Sequence, residues 1–114
     1  MDRAAAFYKA LFGDDGRRVH ESRHYFECGD VVLALLESEH AQPLPDHVYF
    51  ATAELDAVHE RARTLGALAL GEVHGAAAGE IVKRPWGERS FYAADPWGNR
   101  LCFVDAATLF TGRR

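Results

Sequence analysis

Apolar side chains at Ala4, Phe7, Tyr8 and Leu11 share one face of a 3.6-residue period, which predicts a helix over residues 3–12. Asp2 stands where an N-cap belongs, and Gly13 where helices commonly close. Three strand-like runs follow, over residues 17–21, 24–28 and 31–37, the last two joined by a turn at Gly29-Asp30. Residues 40–46 hold two prolines and read as a hinge loop. Residues 47–52 are aromatic and β-branched, hence a strand. Leu55, Val58, Ala62 and Leu65 then return to helical spacing over 55–65, closed by Gly66. A strand is expected over 67–73 and a mobile Gly/Ala-rich loop over 74–80. Residues 81–86 lead into two apolar runs, 90–94 and 101–104.

Between those last runs sits Asp95-Pro96-Trp97-Gly98-Asn99, the densest turn signal in the chain. Proline presets φ at a turn corner, glycine accepts positive φ, and Asp and Asn side chains bond nearby backbone. A β-hairpin is expected. Tyr25 to Glu37 and Phe91 to Asp105 parallel one another as strand, turn, strand, acid, and each follows a helix that ends in glycine. A duplicated βαβββ module accounts for both halves. Such a module opens with a strand before its helix, and here the helix begins at Asp2: the expected first strand lies upstream, is absent, or is supplied by another subunit.

Pro85 to Val104, read as PWGER, F, DPWGN and CFV in that order, resembles the closing hairpin of the vicinal oxygen chelate superfamily. That group includes glyoxalase I, extradiol dioxygenases, fosfomycin-resistance enzymes and bleomycin-resistance proteins, and the hairpin is most similar to the bleomycin-resistance kind. The resemblance implies an α+β fold of two βαβββ modules curling sheets around a cleft, with helices outside. One domain over 1–114 would hold a first module at 1–39, a second at 47–105 and a tail at 106–114. A homodimer is also implied, and it would help to cover the sheet edge left by the missing strand.

Length and charge narrow the function. A chain of 114 residues is enough for one domain burying roughly two-thirds of its unfolded surface. A net charge of −4 and short, interrupted basic spots such as Lys83-Arg84 argue against nucleic acid and read as solvated faces. No apolar run reaches the roughly 18 residues of a membrane span, and MDRAAAFYKALFG does not read as a signal peptide. Cys28 and Cys102 are far apart, and a reducing cytoplasm is expected.

Enzymes of the superfamily hold a divalent ion with His and Glu side chains on inner strands. By resemblance the four positions fall on the missing strand, Ala34, His47 and Cys102. Ala34 offers no donor, and two donors do not make a catalytic site. No metal or other cofactor is therefore expected. Cys102 reads as a small filler of the cleft wall, because only Arg100 beside it could activate a thiol. Alternation places Val32, Ala34, Leu36, Arg100, Cys102, Val104 and Tyr49 toward the cleft, with Leu33, Leu35, Phe50, Leu101 and Phe103 under the helices.

The expected ligand-binding residues are His47, Tyr49, Trp86, Arg89, Tyr92 and Cys102. Each has a plainer reading: His47 as a solvent-facing strand end, Trp86 as edge packing, Arg89 as an ion pair with Glu88 or Asp95. The expected function is metal-independent binding of a small aromatic or amphipathic molecule, antibiotic or metabolite, in the inter-module cleft. The alternative is a divalent-metal enzyme of the glyoxalase, dioxygenase or thiol-transferase kind.

Overall fold

The computed structural model describes residues 1–29, 31–38 and 47–109. The architecture is α+β, and the described residues form two α-helices and several sheets, none closed into a barrel. The chain divides into two compact units, Met1–Gln42 and Pro43–Arg114.

In the first unit, helix α1 spans Asp2–Phe12 and ends at Gly13, whose φ of 68° is the left-handed conformation that closes helices. The expected Asp2 cap is corrected: Met1 holds the cap position without a side-chain bond, and Asp2 lies in the first turn, ion-paired with Arg18 at 2.7 Å. Strands β1 (Arg17–His20), β2 (Arg23–Cys28) and β3 (Val31–Leu36) form an antiparallel meander in that order. Ala5, Phe7, Tyr8 and Leu11 are buried on α1, and Tyr8 and Phe12 meet Phe26 of β2 at ring separations of 6.3 and 5.3 Å. Leu33 and Leu35 pair with Phe26 and His24 and are half-buried, while Val32, Ala34 and Leu36 between them stay exposed. The alternation expected for β3 is therefore present.

His24 is a buried polar group in this unit. Its Nε2 lies 2.9 Å from the Asp15 carbonyl and its Nδ1 3.4 Å from Arg18 Nε. A carbonyl only accepts, so Nε2 carries the proton and Nδ1 accepts from Arg18. Gly16 makes this approach possible. A Cβ there would fall 2.7 Å from the Tyr25 carbonyl oxygen and 2.8 Å from His24 Nε2, and φ is +61°.

The second unit contains β4 (Val48–Thr52), α2 (Leu55–Thr64), β5 (Glu72–Val73), β6 (Ala76–Ala77), β7 (Val82–Lys83), β8 (Arg89–Ala94), β9 (Arg100–Asp105) and a short 3-10 turn at Ala106–Thr108. Its main sheet has the order β4-β9-β8-β7, with β4 parallel to β9 and the other pairs antiparallel. Helix α2 packs on β8 and β9 through Leu55, Val58 and Ala62. On that face Phe103 stacks between Phe50 and Phe91, with centroids 5.2 and 5.4 Å away.

Two expectations fail between residues 67 and 80. The strand over 67–73 reduces to a bridge from Leu68 to Ala93, held by Ala69 N–H to the Tyr92 carbonyl and Ala94 N–H to the Ala67 carbonyl. Gly71, at φ 82°, turns the chain away from the sheet. The expected loop over 74–80 is instead part of the β5–β6 ribbon, which turns at His74 and Gly75, both at positive φ. Its small residues serve packing. Ala78 is buried and its carbonyl accepts the Tyr92 N–H at 2.9 Å, and a Cβ on Gly79 would strike the Ala69 carbonyl oxygen at 2.9 Å.

The closing hairpin forms as expected. Asp95 Oδ1 accepts from the N–H groups of Trp97 and Asn99, Oδ2 accepts from Asn99 Nδ2, and Gly98 takes φ 84°. Each unit contains an antiparallel hairpin, β2–β3 in the first and β8–β9 in the second. β9 carries β4 on its far edge, whereas β3 has no second neighbouring strand among the described residues. The expected turn residue Asp30 and the hinge at 40–46 lie outside the described residues.

Candidate ligand-binding face

Strand alternation divides the second unit's sheet into two chemically different faces. The α2 face is phenyl-rich. The opposite face carries Tyr49 from β4, Ser90 and Tyr92 from β8, and Cys102 and Val104 from β9, because Tyr49 and Tyr92 both lie in register with Cys102, and Ser90 with Val104. Ala78, Tyr92, Cys102 and Val104 form a buried cluster with Ala69 and Val73 against it. His47, just before β4, sets its ring 4.9 Å from that of Tyr92 and 6.3 Å from that of Tyr49. Tyr49 is 62% exposed beside these covered groups.

Four of the six residues expected at the site, His47, Tyr49, Tyr92 and Cys102, are thus together. Trp86 is in the β7–β8 turn, half exposed. Its indole N–H donates to Glu88 Oε1 at 2.8 Å, and its ring meets His74 edge-on at 5.0 Å. Arg89 is not brought to this face. It sits one residue out of phase with Ser90 and Tyr92, and its guanidinium bonds Asp105 at 3.0 Å and pairs with Asp56 of α2 at 3.8 Å. The acids that engage it are not the Glu88 or Asp95 expected from sequence proximity.

One member of the face is absent from the expected set. Arg84 follows β7 and is only 2% exposed. Its Nε donates to Ser90 Oγ at 2.9 Å, its Nη2 donates to the Ser90 carbonyl at 3.2 Å, and its guanidinium carbon lies 5.0 Å from the Tyr92 ring centroid. Its Nη1 is buried without a hydrogen-bond partner. Read as part of a Lys83-Arg84 pair, it looked solvated. The available signal was alternation: Val82 pairs with Ser90, so Arg84, two residues on, returns to the Ser90 face while Lys83 points away.

Burial pushes the Cys102 thiol up to about 11, against opposing pulls from the Ser90 hydrogen bond and the Arg84 charge. Burial likewise raises Tyr92, with neighbouring Cys102 adding to the shift. Both groups are neutral at physiological pH. A neutral thiol is a poor nucleophile and a poor metal ligand. Among the described residues no three His, Cys, Asp or Glu side chains gather as a metal site would require. Ala34 supplies no donor atom. The donors that the described residues place on this face do not fit a divalent ion.

The match to known proteins covers most of the chain. The model of the Glyoxalase/Bleomycin resistance protein/Dioxygenase superfamily matches residues 1–103. No curated protein matches. A glyoxalase/bleomycin resistance protein from Albidiferax ferrireducens T118 aligns with TM-score 0.75 and 20% identity, over 92% of this chain and 88% of that one. A bleomycin-binding protein complexed with bleomycin aligns with TM-score 0.66 and 19% identity, over 92% and 88%. A lactoylglutathione lyase from Agrobacterium tumefaciens aligns with TM-score 0.64 and 23% identity, over 93% and 85%. At these identities the likeness establishes the fold, which binders and enzymes share.

Proposed function

The chain belongs to the Glyoxalase/Bleomycin resistance protein/Dioxygenase superfamily, and from that premise we propose that it binds a small aromatic or amphipathic molecule without a metal ion. The ligand lies on the second unit's sheet face, against His47, Tyr49, Tyr92 and Cys102. The observation that carries this reading is Tyr49, a large aromatic left 62% exposed in register with the buried Cys102. An aromatic face with a few polar groups is the usual make-up of a small-molecule site. Each 100 Å² of apolar ligand surface removed from water contributes about 2.5 kcal/mol. His47 and Tyr49 orient the ligand through their polar atoms, and the protonated Cys102 only packs.

The test is a titration of planar antibiotics, bleomycin included, and aromatic metabolites, read by tryptophan fluorescence and calorimetry. Saturable binding is expected without added metal, about tenfold weaker in Tyr49→Ala, the loss expected for one aromatic contact. Elemental analysis after dialysis against Ni²⁺, Zn²⁺, Mn²⁺ or Fe²⁺ runs beside it. Near-stoichiometric metal retained by the protein and lost in His47→Ala would overturn the binder reading and favour a glyoxalase, dioxygenase or thiol-transferase activity.

A homodimer in the cytoplasm completes the reading. The second copy covers the outer edge of β3, where Val31, Val32 and Leu36 are exposed and where the matching strand β9 carries β4. Exposed apolar edge strands are surfaces that proteins normally cover. Light scattering should give twice the 12.7 kDa chain mass, falling to the single mass in Val32→Lys; a monomeric wild type would retire this part.

A further inference from the structure

Arg84 is the group on this face whose chemistry is incomplete. A guanidinium keeps its charge at any physiological pH, and burying it without a counter-charge costs several kcal/mol. Ser90 takes Nε and Nη2, and the Tyr92 ring lies beneath the plane, yet both partners are neutral. No ion pair to Arg84 occurs among the described residues. Of the neighbouring groups that could ionise to anions, Cys102 and Tyr92 are held protonated by burial, and the Glu88 carboxylate, close enough to raise the Cys102 thiol, accepts from the Trp86 indole and makes no ion pair with Arg84. What remains is one cation, buried, with both N–H bonds of Nη1 unused.

We propose that Arg84 is the recognition residue for an aromatic monocarboxylate, whose carboxylate oxygen accepts the unpartnered Nη1–H while its ring lies along Tyr92, Tyr49 and His47. This rests on the small-molecule reading of the same face and adds the ligand's charge and chemical class. A carboxylate supplies the single negative charge that one guanidinium matches, and charge-assisted N–H to carboxylate bonds are among the strongest available. A phosphate dianion would bring a second charge and further oxygens with no cation to meet them. The aromatic body follows from three rings within one small patch, 4.9 Å and 6.3 Å apart by centroid. Arg84 is only 2% exposed, so the carboxylate reaches Nη1 through a local rearrangement of the groups that cover it.

The experiment compares benzoate, cinnamate and 2-naphthoate with their neutral amides, and with phenyl phosphate, by calorimetry on the full chain. Wild type, Arg84→Met and Arg84→Lys are used. At least one acid should bind wild type about tenfold or more tightly than its amide and than phenyl phosphate, as expected when a buried charge gains its partner. That preference should fall to within about twofold in Arg84→Met and persist in part in Arg84→Lys, which keeps the charge without the fork. In wild type the same acid, and not its amide, should shift the Arg84 guanidinium ¹⁵N resonance, a readout that does not depend on either variant folding. An acid and amide that bind equally, or an acid preference undiminished in folded Arg84→Met, overturns the carboxylate assignment and leaves the small-molecule reading standing. A preference for phenyl phosphate overturns the carboxylate in favour of a phosphoryl group. Silence from every acid and amide in both heat and ¹⁵N shift sinks this assignment; silence across the antibiotic and metabolite titration as well sinks the broader reading with it.

Discussion

Replacing Phe103 with alanine is expected to lower the unfolding free energy by about 3–5 kcal/mol, the range for deleting a fully buried phenyl ring. Phe103 is 1% exposed and is the middle ring of three, between Phe50 on β4 and Phe91 on β8. Its removal strands both neighbours. Among the described residues β4 is joined to the sheet through β9 alone, so the ring also helps to hold the parallel pair that carries Tyr49. Domains of this size have total stabilities of about 5–15 kcal/mol, so the variant sits near the edge of folding. Urea denaturation measures the loss directly, with Phe103→Leu as the milder comparison because it keeps most of the volume. A loss under about 1 kcal/mol in the alanine variant would mean that the sheet and α2 collapse into the space, and that the three-ring stack is not the support described.

Asp95→Ala is the second large effect, at about 2–3 kcal/mol. The carboxylate is nearly buried and accepts hydrogen bonds from the backbone N–H groups of Trp97 and Asn99 and from the Asn99 side chain, at 2.8–3.0 Å. Hydrogen bonds to a charged acceptor contribute about 1.5–3 kcal/mol each, less whatever water recovers at an exposed turn. Asp95→Asn separates geometry from charge. Its side-chain oxygen can still take both backbone N–H groups, but its NH₂ then faces the Asn99 NH₂, so a loss of about 1 kcal/mol is expected. Equal losses in the two variants would show that charge, rather than the acceptor geometry at Oδ1, stabilises the turn. The hairpin sets the register of β8 against β9, so aligned Tyr92 and Cys102 depend on it. Hydrogen exchange at the Ala93 and Leu101 amides should quicken in Asp95→Ala, which a purely local turn defect would not produce.

The regular elements were legible because local rules specify them. Helical spacing with a closing glycine located α1 and α2 to within a residue or two, and Asp95-Pro96-Trp97-Gly98-Asn99 specified its hairpin through chemistry contained in five residues. Period-two alternation assigned Phe103 and Cys102 to opposite faces of one strand. Residues 67–80 were misread for the converse reason. A run of alanine and glycine looks featureless along the chain, and only the sheet pressed against it explains why Gly79 has no room for a Cβ and why the Ala78 carbonyl bonds Tyr92.

The candidate face divides in the same way. That His47, Tyr49, Tyr92 and Cys102 could share a face followed from strand phase and from the family resemblance, both of which the amino-acid order carries. The partners of Arg84 and Arg89 did not. Both are arginines beside the same turn, five residues apart, and nothing local separates a buried guanidinium from an ion-paired one. Arg89 meets Asp56 and Asp105, one on a helix 33 positions earlier and one on the adjacent strand, while among the described residues the Arg84 guanidinium meets Ser90 and a tyrosine ring. Burial and charge compensation depend on what long-range packing brings within a few ångströms. Backbone periods and turn chemistry act within a few residues, so the order of amino acids determined the elements and their faces, while tertiary structure alone decided which cation was left without a counter-charge.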